Sequence, residues 1–297
     1  MALSRTQISA LIDKVRRGIS PLEFTFIPHP RWPLPRAIRP QPHVNISILD
    51  SSFNPPTIAH LGLANYPRRE PDGHAYDAKI FLLSVRNADK QLKPTDATYE
   101  QRLEMMYHLA QSTVRKGHRH TVAVGVIDEP TFIGKAKTLQ TWIQQHFAPF
   151  GADPPRAELT FLVGFDTLER IFAPRYYGDT PDDPEAENKM FAALETFFSP
   201  EHDNARIICA RRTPPLSPYK KELPASKEEE DLLTLADRFV QTNRLRVVDL
   251  DSGLLNISST SIREGIGRGR GWYDFVPKEV REYIYQEALY GYTKPMR

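Results

Sequence analysis

A doubly wound parallel α/β sheet is the fold class this sequence predicts, and three features predict it. Short, near-continuous apolar runs recur from residue 44 onward. Segments of helical period separate them, as expected of a parallel sheet covered on both faces. Small polar residues leave the first apolar run at its carboxyl end, where open α/β sheets bind their ligands.

The elements follow in order. Ser4 and Gln7 fit a capping box ahead of a short amphipathic helix ending near Gly18. Its basic face, Lys14, Arg16 and Arg17, raises a mitochondrial presequence; Asp13 and the low serine content weigh against one. No apolar stretch of a secretory signal is present. A proline-rich wrap from Pro28 to Pro42 comes next, so residues 1–43 read as an N-terminal arm and 44–297 as the α/β domain. Strands are predicted at Val44–Leu49, Lys79–Ser84, Thr121–Ile127, Glu158–Val163, Arg206–Ala210 and Leu245–Leu250. Helices are predicted at Tyr99–Gln111, Lys137–Phe147, Glu187–Phe198 and Lys227–Gln241. The right-handed crossover rule then winds helices onto both faces. Pro174–Pro184 and Thr213–Pro224 read as surface insertions. The acidic run Glu228–Asp231 reads as a solvated first helical turn, where negative charge is favoured.

Composition narrows the function classes. The chain has 297 residues, 40% of them hydrophobic, enough for a sizeable core. Its net charge of +2 argues against a general nucleic-acid binder, which needs a clear excess of Lys and Arg. No apolar run approaches the roughly 18–20 residues that cross a bilayer. The single cysteine, Cys209, excludes an internal disulfide and points to a reducing compartment, cytoplasm or nucleus. No Lys/Arg block selects between those two, and the sequence leaves a homo-oligomer open.

Two segments carry chemistry. In the first, Ser51-Ser52-Phe53-Asn54-Pro55-Pro56-Thr57-Ile58-Ala59-His60 turns from a strand into a helix beginning near His60. Such a turn aims backbone N–H groups and a helix N-terminus at an anion. Its plainer reading is a connection with a capping Thr57 and a packed histidine. The second, Asn256-Ile257-Ser258-Ser259-Thr260-Ser261-Ile262-Arg263-Glu264, follows the last strand and opens a helix. Its plainer reading is a capping box of Ser261 and Glu264. It also concentrates four hydroxyls and an arginine in one turn, which suits phosphate.

Together these segments resemble the nucleotidyltransferases with an (H/T)xxH signature, and more narrowly the nicotinamide mononucleotide adenylyltransferases of eukaryotic, fungal type. Ser52-Phe53-Asn54-Pro55 and Thr57-x-x-His60 match the family's first motif, and Ile257-Ser258-Ser259-Thr260-Ser261-Ile262-Arg263 its second. Gly164-Phe165-Asp166 is similar to its Gly-x-Asp after the fourth strand. The resemblance implies a Rossmann-like fold and attack of a mononucleotide phosphate on the α-phosphorus of ATP. Pyrophosphate then leaves with Mg²⁺, and the protein supplies positioning and charge stabilisation. It implies His60 on the α-phosphate, with Thr57 in place of the family's first histidine. It places Ser259, Thr260 and Arg263, with Ile257 in the same turn, at the β- and γ-phosphates. Ser51, Ser52, Phe53, Gly164, Asp166 and Arg212 fall on the nucleotide side, with Phe53 and the Ser52 backbone lining the mononucleotide. Lys90 or Lys93 would meet the substrate phosphate, and one of Arg211 and Arg212 a phosphate.

The sequence also departs from the family. Ser51 stands where glycine is usual, and Ala59 replaces the glycine of His-x-Gly-His. No tryptophan lies in 130–139, where the family stacks one on nicotinamide; Phe132 is the nearest aromatic, and stacks or merely packs. These departures touch the acceptor, nicotinamide or nicotinate mononucleotide, more than the adenylyl-transfer step. The readings set beside it are transfer to another phosphate acceptor, ATP hydrolysis, and a regulatory module that binds ATP without turnover. The cytidylyltransferase branch fits less well, because Asn256–Thr260 lacks its Gly-Ile-Ser-Thr pattern.

Overall fold

The computed structural model describes residues 3–34, 43–68, 75–86, 93–114, 121–147, 156–211, 227–250, 253–254 and 257–293. The strands are β1 (Leu22–Phe26), β2 (His43–Asp50), β3 (Ala78–Ser84), β4 (Val122–Ile127), β5 (Arg156–Gly164), β6 (Ala205–Ala210) and β7 (Leu245–Val248). The helices are α1 (Arg5–Arg16), α2 (Ile58–Ala64), α3 (Tyr99–Val114), α4 (Phe132–Phe147), α5 (Phe165–Ile171), α6 (Ala186–Phe198), α7 (Lys227–Leu235), α8 (Asp237–Gln241), α9 (Ser259–Gly267) and α10 (Lys278–Gln286).

Successive strand residues point to opposite faces, and both faces here are apolar. On β3, Phe81 and Leu83 join one core while Ile80 and Leu82 join the other. On β4, Val122, Val124 and Val126 share the face of Phe81, and Ala123 and Ile127 take the opposite one. Helices α1, α2, α3, α9 and α10 cover the first face; α4, α5, α6 and α8 cover the second. The strand order is β1-β4-β3-β2-β5-β6-β7, with every pair parallel except β1 against β4. The chain therefore winds outward from β2 to β4, returns, and winds the other way from β5 to β7. The reversal lies between β2 and β5, and the crevice at their carboxyl ends is the expected ligand site.

Several elements differ from the sequence reading. The strand β1 lies inside the segment read as an arm. Leu22 pairs with Ile127 across the sheet edge, and Ile8, Ile12 and Val15 of α1 enter the first core. Trp32 is buried in the second core, and its indole N–H donates to the Thr121 carbonyl at 2.9 Å. This edge strand is short and only partly alternating, so its pairing with β4 defines it where periodicity could not. Residues 35–42 of the expected wrap lie outside the described residues. Helix α4 begins at Phe132 rather than Lys137, because the Thr131 hydroxyl accepts the Gly134 N–H at 3.0 Å. The helix predicted over 227–241 is two, α7 and α8, divided at Ala236. The acidic run is not wholly solvated: Glu229 is buried against Arg211 at 2.8 Å.

Candidate active site

The turn after β2 is held at both ends. The Ser51 N–H donates to the Leu82 carbonyl of β3 at 3.3 Å, and Thr57 caps α2. Between them Phe53 has φ of 44°, in the left-handed region that costs a non-glycine residue about 1–3 kcal/mol. Burial offsets that strain: the Phe53 ring lies in the core, 5.2 Å from the His60 ring centroid and 6.0 Å from that of Phe81. Its side chain thus supports His60 from beneath; the surface left to a ligand by this turn is that of Ser51, Ser52 and the backbone.

The tautomer of His60 follows from its partners. The Thr57 backbone N–H, which can only donate, points at His60 Nδ1 from 3.1 Å, and the Thr57 hydroxyl lies 2.8 Å from the same nitrogen. Nδ1 is therefore an acceptor and the ring proton is on Nε2. Nε2–H then donates to Ser51 Oγ at 2.9 Å. Burial pushes the imidazole down to about 4, so at neutral pH it is an uncharged donor aimed from the first turn of α2. The cap that Thr57 places on α2 and the fixed tautomer of His60 are thus one arrangement.

The two motifs, some two hundred residues apart, meet directly. Ser259 Oγ donates to the Pro55 carbonyl at 2.8 Å, and Arg263 Nη1 donates to the Asn54 carbonyl at 2.6 Å. A second Arg263 nitrogen donates to Thr260 Oγ1 at 3.3 Å. The capping box of α9 is Ser258 with Ser261, not Ser261 with Glu264, so the helix begins one turn earlier than expected. That shift places Ser259 and Thr260 in the first turn, with Ile257 just ahead of the cap and packed against the first core.

Sequence reasoning passed over the residues that fix this junction. The buried Asn54 Oδ1 accepts from the Ala97 N–H at 3.2 Å and the Tyr290 hydroxyl at 2.9 Å. Asp96 lies 3.7 Å from both Arg263 and the buried Arg102. Burial alone would raise the Asp96 carboxyl, but the Lys93 N–H, Asn54 and the two arginines outweigh it and hold it below the usual range. Arg102 also donates to the Ala97 carbonyl at 2.9 Å and reaches the Ser52 carbonyl at 3.5 Å. Two guanidiniums thus share one carboxylate beneath the turn, leaving one positive charge there. Asn54 stands inside the first motif, but its role and that of Arg102 depend on partners distant in sequence.

Across the reversal point, Gly164 ends β5 and caps α5, and Asp166 stands in the first turn of that helix. A Cβ on Gly164 would meet nothing within 4 Å, so space is open beside it. Arg211 is committed to Glu229 of α7; Arg212 lies outside the described residues, as does Lys90. Lys93 is exposed, in the loop that Asp96 and Ala97 fasten to the site.

The start of α4 is arranged differently. Phe132 meets Phe161 edge-on at 5.4 Å, and the Lys135 ammonium lies 4.7 Å from its ring. Lys135 is buried and pairs with Asp50 at 2.6 Å. The Glu129 carboxylate bonds the Thr131 N–H and hydroxyl at 2.9 and 2.7 Å, and a Cβ on Gly134 would overlap it. The first turn of α4 thus already carries an anion. Among the described residues no group of three His, Cys, Asp or Glu is placed to hold a metal, and no helix is long and apolar enough to cross a membrane.

No protein-family model matches the chain. It is 34% identical over 167 residues to a Schizosaccharomyces pombe protein described as "Putative nicotinamide mononucleotide adenylyltransferase", covering 56% of this chain and 53% of that one, so the match spans about half of that relative's length. It is 25% identical over 248 residues to a Chlorobium luteolum "Probable nicotinate-nucleotide adenylyltransferase", covering 83% of this chain and 98% of that protein. Among solved structures, Plasmodium falciparum nicotinic acid mononucleotide adenylyltransferase complexed with NaAD aligns at 15% identity over 84% of this chain and 99% of that one, with a TM-score of 0.47. In sequence, then, the chain is similar to the nicotinamide and nicotinate mononucleotide adenylyltransferases, the family its two motifs resemble.

Proposed function

We propose that this protein is a nucleotidyltransferase joining ATP to nicotinamide or nicotinate mononucleotide, giving the dinucleotide and pyrophosphate. One observation carries the reading: a neutral His60 with its proton fixed on Nε2, at the reversal point of the sheet, on a turn tied by Ser259 and Arg263 to a second helix N-terminus. A mononucleotide phosphate oxygen attacks the α-phosphorus as the bond to the pyrophosphate oxygen breaks. His60 supports the oxygens on which charge develops, without transferring a proton. Ser259, Thr260 and the first turn of α9 receive the leaving phosphates. Arg263 and Arg102, half-neutralised by Asp96, keep the turn rigid and locally positive. Mg²⁺ would arrive on the ATP phosphates and draw charge from the leaving pyrophosphate. The donor set at the turn, hydroxyls and N–H groups, suits phosphate rather than the metal.

Incubation with ATP, Mg²⁺ and each mononucleotide, followed by assay of dinucleotide and pyrophosphate, tests the reading. Tight ATP binding without product would remove it. The packing of Phe132 against Phe161 and Lys135 favours, as a second reading, an ATP-binding protein that accepts no pyridine mononucleotide.

A further inference from the structure

The side chain at position 51 is the one substituent of the turn in contact with the donor nitrogen of His60, and it stands where the resembled motif has no side chain. Ser51 Oγ lies 2.9 Å from Nε2 and accepts a hydrogen bond from its N–H. A hydroxyl that accepts a hydrogen bond still has its own proton to give. Among the described residues nothing accepts it: the contact to His60 is the only side-chain hydrogen bond that Ser51 makes. The bonds run in one direction. The Thr57 N–H and hydroxyl face Nδ1, Nε2–H donates to Ser51 Oγ, and the Ser51 hydroxyl keeps its own proton to donate. In such a chain each bond polarises the next, so the last hydroxyl is a stronger donor than an isolated serine. The residue is also fixed, because its backbone N–H is committed to Leu82.

We propose that Ser51 is a catalytic residue of this chain: its hydroxyl, backed by His60 Nε2–H, is the group that touches the non-bridging oxygen of the phosphate under attack. The inference rests on the proposed adenylyl transfer. No proton changes owner in it. The hydroxyl donates a hydrogen bond that shortens as charge gathers on the phosphate oxygen, while the bond from phosphorus to the pyrophosphate oxygen breaks and that to the mononucleotide forms. His60 acts on the phosphate through Ser51.

The test uses the full chain with Ser51→Ala, Ser51→Gly, Ser51→Thr, His60→Ala and the double variant Ser51→Ala/His60→Ala. Expected are a fall in kcat of roughly tenfold or more for Ser51→Ala and Ser51→Gly, and partial recovery in Ser51→Thr, which keeps the hydroxyl. The ATP dissociation constant should change by less than about threefold, because the bond is strengthened only in the transition state. Ser51→Ala/His60→Ala should be no slower than His60→Ala alone, as for residues acting as one unit. Turnover in Ser51→Gly equal to or above that of the unmodified chain would overturn the proposal, making the serine a mere occupant of the phosphate position. So would multiplication of the two single effects in the double variant. A readout free of turnover separates this from failure of the proposed function. On titration with α,β-methylene-ATP and Mg²⁺, the His60 Nε2–H proton resonance should move by a small amount, relayed through the Ser51 hydroxyl, in the unmodified chain and by a clearly larger one in Ser51→Ala, where phosphate meets His60 directly. Equal shifts in both would sink the relay even if dinucleotide forms. A small relayed shift in the unmodified chain and a larger one in Ser51→Ala, with no dinucleotide formed, would sink only the transfer reading.

Discussion

The two sides of the crevice handle their polar groups in opposite ways. On the side proposed for the nucleotide, the turn after β2 and the start of α9 use backbone and buried groups to fix one another, and leave Ser51 and Ser52 half-buried and Thr260 exposed. On the α4 side the polar groups are satisfied inward: Lys135 by Asp50, the first turn of α4 by Glu129, and the Phe132 ring by Phe161 and Lys135. The first arrangement is a preorganised donor set, whose value in charge stabilisation lies in costing no reorganisation during reaction. The second is a closed structural unit. A polar residue at a strand's carboxyl end is therefore not by itself a ligand-facing group; what its other atoms bond decides.

The largest expected effect tests the closed side. Lys135→Met leaves Asp50, only 12% exposed, without its partner and should lower the unfolding free energy by about 3–5 kcal/mol, and Asp50→Leu/Lys135→Met should recover most of it. Urea unfolding measures both. A loss below about 1 kcal/mol would mean that this pair is open to solvent and to ligands. Next is His60→Ala, which should slow dinucleotide formation by about 100- to 1000-fold while ATP affinity changes far less. Near-full activity would end the distinction between the two sides. Arg263→Ala should raise the KM for ATP by roughly tenfold through loss of a charge-assisted contact, and the KM for the mononucleotide by less. Equal effects would place Arg263 on both sides of the crevice.

A remaining effect concerns pH. The folded His60 has its pKa near 4 and the unfolded side chain near 6.5, so between these values only the unfolded chain takes up the proton. Stability should fall as pH drops through that window, and His60 should contribute no pH dependence above it. Comparing urea midpoints of the unmodified chain and His60→Gln from pH 4 to 8 isolates the difference. An imidazole titration near 6.5 in the folded protein, seen by NMR, would contradict the fixed neutral donor.

The parallel sheet was legible because burial on both faces leaves near-continuous apolar runs, and the positions of β2 to β7 follow from those runs alone. The motif at Ser52–His60 was legible for a similar reason: capping, turn chemistry and the Thr57–His60 pair are all local, within a span of nine residues. Its partnership with Ile257–Arg263 was inferred by resemblance, and the bonds from Ser259 and Arg263 to Pro55 and Asn54 give that partnership its geometry. Other features needed the folded chain. An edge strand such as β1 shows little periodicity, and its pairing with β4 defines it. A lysine at position 135 reads as a solvated helix residue until Asp50 is brought to it. A phenylalanine at position 53 reads as a ligand-lining ring until its positive φ turns it into the core. The sequence by itself determined which groups could act, because residue type and local spacing set donors, acceptors and caps. Only the tertiary structure decided which of them still faces a ligand, because that depends on hydrogen bonds and burial shared with residues far along the chain.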